Sequence, residues 1–229
     1  MKKQYYIFSL DMKILNIFSF IIFFFMMILT FIINKNFLIE AINYTFATKN
    51  LMLTICLVLG YLILHEIFHS IAYCIYGAKY KNIVYGIELE KGIFYCLCKQ
   101  NVNKRKNLNS LMYPLFYLGI LTYIISFFLN NAYLLILSIF NISGCVGDIF
   151  TFLFILKLNK NLEFSEFDDT TSFSIYTEDD LTKKKHFGLK YIGVKDELVR
   201  LDHQKIKITK WSYIIIISLL ILGIITKIR

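Results

Sequence analysis

The chain has 229 residues, 57% hydrophobic and 18% charged, with a formal net charge of +9 and a single proline. So much apolar surface exceeds what a soluble domain of this size buries, and it suits a multi-pass protein whose lipid-facing sides are apolar as well. The basic residues fall between and after the apolar runs, which points to membrane topology and anionic lipid and away from nucleic acid.

Five apolar runs are candidate spans of a hydrocarbon core about 30 Å thick. They cover residues 14–33, 51–73, 108–129, 132–156 and 211–225. The first is too long for the apolar region of a signal peptide and has no small-residue cleavage site after it, so it reads as a retained helix. Residues 34–50 carry only Lys35, Glu40 and Lys49, and Asn130-Asn131 carries no charge. Lys79, Lys81, Lys91, Lys99, Lys104, Arg105 and Lys106 lie between the second and third runs, and Lys157, Lys160 and Lys183 to Lys185 follow the fourth. This asymmetry puts the N-terminus and both basic loops in the cytoplasm of a cell-membrane protein.

Residues 80–100 include "NIVYGIELEKGIFYCLC", rich in β-branched and aromatic side chains and broken at Glu90-Lys91-Gly92. The pattern predicts a β-hairpin. Cys96 and Cys98 within it read as strand side chains in a reducing compartment. The expected fold class is an all-α polytopic membrane protein of about five transmembrane helices, with a small β-hairpin after the second. The expected organisation is 1–50, a first helix and external loop; 51–157, a membrane core; 158–210, a polar cytoplasmic segment; and 211–229, a last helix. Pro114, near the start of the third run, predicts a kink.

The chemistry is concentrated in "HEIFHSIAYCIYG", which begins at His65. In a helix, His65 and His69 share a face and can hold one metal ion, while Glu66 stands about 100° round, close enough to reach a water. This is the HExxH pattern: two imidazole ligands for zinc and a glutamate as general base. Three ionisable groups within five residues of an apolar run cost several kcal/mol at least, and mark function.

A zinc site needs a third protein ligand. Glu88 and Glu90 follow at a workable spacing but lie in the hairpin. Asp148, in "NISGCVGDIF", is the other candidate. His65 lies fourteen residues after Leu51 and Asp148 fifteen after Tyr133, so both are about 21–22 Å along helices running in the same direction. Gly144 and Gly147 would let the two helices approach closely. Two neutral imidazoles, one carboxylate, Zn²⁺ and a hydroxide sum to zero charge, which a low-dielectric setting tolerates.

These residues resemble the intramembrane zinc metalloproteases of the site-2 protease class. A closer likeness is to a group of bacterial membrane zincin peptidases that pair HExxH with a later "N…GD" helix, matched here by Asn141 to Asp148. The class carries proline after the asparagine and glycine after the aspartate, where this chain has Ile142 and Ile149. The resemblance implies zinc on His65, His69 and Asp148, a water made acidic by the metal, Glu66 as general base and Asn141 as a donor to the developing oxyanion. It implies a membrane protein or peptide as substrate, in the setting of a lipid bilayer. The hairpin could add its edge to an extended substrate. Two other readings compete: a non-catalytic zinc-binding membrane protein that retains a partner, and an ion pathway lined by the same residues. Glu66, which a structural site does not need, favours catalysis.

Overall fold

The computed structural model describes residues 4–88, 93–159, 162–166, 172–184 and 187–195. The expected last span, 211–225, and Glu90 lie outside the described residues. Helix α1 (Met12–Thr45) opens on Asp11, whose carboxylate accepts from the Lys13 N–H at 3.1 Å. It breaks at Asn34, whose φ and ψ of −156° and 88° are non-helical and whose side chain caps the second half through the Phe37 N–H. Much of the expected external loop is therefore helix. Helix α2 (Thr48–Ile75) follows after a short turn.

The third apolar stretch, Lys104–Leu129, has three parts: α3 (Lys104–Pro114), a π-helical segment (Leu115–Leu121) and α4 (Thr122–Leu129). The fourth is bent by 43° into α5 (Ala132–Gly144) and α6 (Val146–Leu156), meeting at Cys145. Among the described residues, three helices are long and apolar enough to cross a membrane, or four if the bent pair is one span. Their outward faces expose Phe20, Phe24, Ile28, Leu62, Ile63, Ile124 and Phe128, which is compatible with contact to lipid. Between helices, Thr30 Oγ1 meets Tyr123 Oη at 2.8 Å, and Tyr61 Oη donates to the Leu118 carbonyl at 2.8 Å.

The all-α expectation understates the β structure. Strand β1 (Gln4–Leu10) is an inner strand of a five-stranded antiparallel sheet in which β4 (Val102–Asn103), β5 (Glu163–Glu166), β6 (Ser172–Thr177), β1 and β7 (Leu189–Lys195) lie side by side in that order. The polar segment after α6 thus folds by pairing with the residues before α1. Tyr6, Phe8, Phe164 and Ile175 form its core, against Phe154 and Ile155 of α6. Lys104 Nζ reaches the Leu156 and Leu158 carbonyls at the end of α6, at 3.0 and 2.5 Å. Where the sheet meets α1, Lys190 Nζ lies 2.8 Å from Asp11 and holds its carboxyl below the usual carboxylate range.

The hairpin is present as β2 (Ile83–Glu88) and β3 (Ile93–Cys98), a separate antiparallel pair with Tyr85 opposite Cys96. Cys96 and Cys98 pack with Tyr73 and Val102 as buried strand residues.

Candidate metal centre

His65, Glu66 and His69 lie on α2, in its second half. Asp148 lies in the first turn of α6, where the break at Cys145 has started a new helix. The partial positive charge of a helix N-terminus favours a carboxylate at that position. The bend thus does more than carry Asp148 to depth: it gives the carboxylate a helix start to sit on.

Three atoms converge. His65 Nε2 is 3.2 Å from His69 Nε2 and 3.3 Å from Asp148 Oδ2, and His69 Nε2 is 3.5 Å from the same oxygen. The far side of each imidazole is held by a partner whose identity fixes the tautomer. His69 Nδ1 is 2.9 Å from the backbone carbonyl of Ser110, which can only accept, so Nδ1 carries the proton. His65 Nδ1 is 2.9 Å from Asn141 Oδ1. The Asn141 amide is oriented by its other end, because Nδ2 donates to the Pro114 carbonyl at 3.1 Å. His65 Nδ1 therefore donates as well. With both rings neutral, as a metal ligand requires, the Nε2 atoms are left as lone pairs facing each other and a carboxylate oxygen.

Three acceptors pointed at one spot repel unless a cation lies among them. The edges of this triangle match the ligand separation of about 3.3 Å expected around tetrahedral zinc with bonds of about 2.0–2.1 Å. Ligating histidines also characteristically donate their other N–H to a carbonyl or carboxylate, as both do here. The donor set thus fits zinc. Cys145 is a further neighbour. His65, Cys145 and Asp148 form a group whose potential ligand atoms lie within 4.8 Å of one another. The Cys145 sulfur is 4.0 Å from His65 Nδ1 and 3.7 Å from Asn141 Nδ2.

Glu66, the two histidines and Asp148 open into a cavity of about 250 Å³, walled by β3 from Phe94 to Cys98 and roofed by Leu10, Phe164 and Phe173 from the five-stranded sheet. A second, more apolar groove lies between α2 and the hairpin, and Glu66, Phe94 and Tyr95 line both.

Two expectations change. Asn141 stands behind His65, on the side away from Nε2, with both ends of its amide engaged. It is placed to orient a ligand and not to meet an oxyanion at the open side of the site. Gly144 and Gly147 are not the points of closest helix approach. A Cβ on Gly144 would meet nothing within 4 Å, and one on Gly147 would meet Leu10 at an ordinary 3.6 Å. The tight contact is at Gly119, in the π-helical segment, where a Cβ would come 2.8 Å from Ile142. Of the other third-ligand candidates, Glu88 ends β2 and Glu90 is outside the described residues.

The sequence reading did not single out Ser110 or Cys145. For Cys145 a signal was available, three residues before Asp148. For the Ser110 carbonyl none was, since every residue has one.

A family model matches residues 58–162. It is described as "Putative zincin peptidase". The matched stretch holds HExxH, the hairpin, the π-helical segment and the bent helix pair, but neither β1 nor β6 and β7. Comparison with curated proteins and with solved structures gives no match.

Proposed function

We propose that the protein is a membrane-embedded zinc metallopeptidase that hydrolyses a peptide bond of a membrane-associated protein or peptide. The observation that carries this reading is the triangle of three lone-pair atoms from His65, His69 and Asp148, with Glu66 beside it. The family match supports the zincin assignment. The apolar outer faces of the helices support a place in the membrane.

His65, His69 and Asp148 would hold the metal. Zinc, when bound, supplies Lewis acidity toward a carbonyl and toward water. Glu66, which lines the cavity beside the histidines, takes a proton from the attacking water and delivers it to the leaving amine. Asn141 and the Ser110 carbonyl keep both imidazoles facing inward. The sheet and β3 shape the space for an extended chain with apolar side chains, through Leu10, Phe94, Phe164 and Phe173.

The test measures zinc per chain in detergent-purified wild type, Glu66→Gln and Asp148→Ala, and cleavage of a mixed peptide library by mass spectrometry. About one zinc in wild type and Glu66→Gln, none in Asp148→Ala, and cleavage by wild type alone is the expected result. Wild type that takes no zinc on reconstitution overturns the reading. Zinc without cleavage, in membrane-protein substrates as well as peptides, turns it toward a non-catalytic zinc protein.

A further inference from the structure

Pro114, the chain's only proline, is the last residue of α3 and lies before the π-helical segment. In an unbroken helix the carbonyl of Ser110 accepts from the N–H four residues on. That residue is Pro114, which has no N–H. The ordinary donor to the Ser110 carbonyl is therefore missing by covalent structure. His69 Nδ1 occupies the place, at 2.9 Å, in a buried setting where an unsatisfied carbonyl is costly. Past the proline the bonding pattern shifts, and the Leu115 N–H turns to the Met112 carbonyl. The carbonyl of Pro114 takes the Asn141 amide and so orients the partner of His65.

We infer that Pro114 is a positioning residue of this site: lacking an N–H, it reserves the Ser110 carbonyl for His69, and it thereby fixes the tautomer that turns the His69 Nε2 lone pair inward. The kink expected from a proline is here an acceptor made available to a side chain on another helix. The two ends of the Pro114 backbone act on different histidines. The missing N–H acts on His69, and the carbonyl acts, through Asn141, on His65. A substitution that restores the N–H but keeps the carbonyl separates them.

The inference rests on the zinc reading for one of its two tests only. The first test is ¹⁵N-histidine NMR of the full chain in detergent, metal-free, with His186→Gln and His203→Gln to leave two imidazoles. Wild type should show His65 and His69 both protonated on Nδ1. In Pro114→Ala, the restored backbone N–H competes for the Ser110 carbonyl, so His69 should lose its fixed Nδ1–H form while His65 keeps it. Identical His69 signals in both proteins overturn the inference. The second test is zinc affinity by competition with a chelator. Pro114→Ala should bind about 10–100-fold more weakly, the usual cost of losing a partner that orients a ligand, even though alanine suits a helix better than proline. Equal affinity overturns the inference while leaving the zinc site standing. Should Pro114→Ala fail to fold, the wild-type spectrum decides alone, because a His69 with no proton on Nδ1 contradicts the role given to Ser110.

Discussion

At the scale of single residues, the site is defined as much by what stands behind the ligands as by the ligands. A neutral imidazole has one donor and one acceptor. Spending the donor on Ser110 or Asn141 commits the acceptor to the shared centre. Asn141 thus has two testable roles with different signatures. As the partner of His65, Asn141→Ala should weaken zinc binding about 10–100-fold and lower turnover largely through lost metal, so that excess zinc restores much of it. As an oxyanion donor, it would leave zinc affinity at the wild-type value and lower kcat even at saturating zinc. A chelator-competition titration beside a zinc-saturated rate measurement separates these, and the geometry predicts the first. The meeting of His65, His69 and Asp148 was legible in the sequence, because ionisable groups in apolar runs are rare and HExxH imposes its own spacing. The backing groups were not. One is an amide whose orientation only a tertiary contact reveals, and the other is a main-chain carbonyl.

At the scale of elements, the site depends on two departures from regular helix. One is the bend at Cys145, which starts α6 close to Asp148. The other is the π-helical segment after Pro114, a rare form that occurs frequently at functional sites. Neither departure has a pattern that hydrophobic run length can detect, and residues 132–156 read as one continuous span. The segments meet at Gly119, where an added Cβ would lie 2.8 Å from Ile142 and 3.4 Å from the Asn141 amide nitrogen. Gly119→Ala should therefore cost about 1–3 kcal/mol through overpacking and displace Asn141 from His65. Thermal unfolding with and without zinc checks this: both a lower melting temperature and a smaller zinc-induced rise are expected. A lower melting temperature with an unchanged zinc response would show that the contact is packing alone. The hairpin was legible from its alternating β-branched and aromatic residues, but its place as a wall of the cavity beside Glu66 was not.

At the scale of the whole molecule, the five-stranded sheet is where the sequence was least informative. Its strands are short, polar on one side and scattered over the chain, so that none of them shows a core until all are paired. β1 before the first apolar helix had no signal beyond a few aromatic residues. In the fold it is an inner strand, and its last residue, Leu10, helps to roof the cavity. The sheet is also tied to the ligand helix at Gly188, which has φ of +82° and packs so closely on Phe150 of α6 that a Cβ there would overlap the ring. Gly188→Ala should destabilise the protein by about 1–3 kcal/mol from backbone strain and overpacking. Phe150 is two residues from Asp148, so zinc affinity should fall with stability. Unfolding and chelator competition on the same sample check it; a zinc affinity equal to wild type would mean that the sheet and the metal centre are mechanically independent.

The central place of β1 also sets an order of assembly. β1 leaves the ribosome before α1, but its partners β6 and β7 come only after α6, so the strand must wait while α1 to α6 are made. Pairings between such distant parts of a chain form late. Helices α2 and α6 can meet before the sheet closes, which leaves the cavity without its roof of Leu10, Phe164 and Phe173 until the chain has been read through Thr177. A newborn molecule of this protein would bring His65, His69 and Asp148 together before it acquires the sheet that covers them.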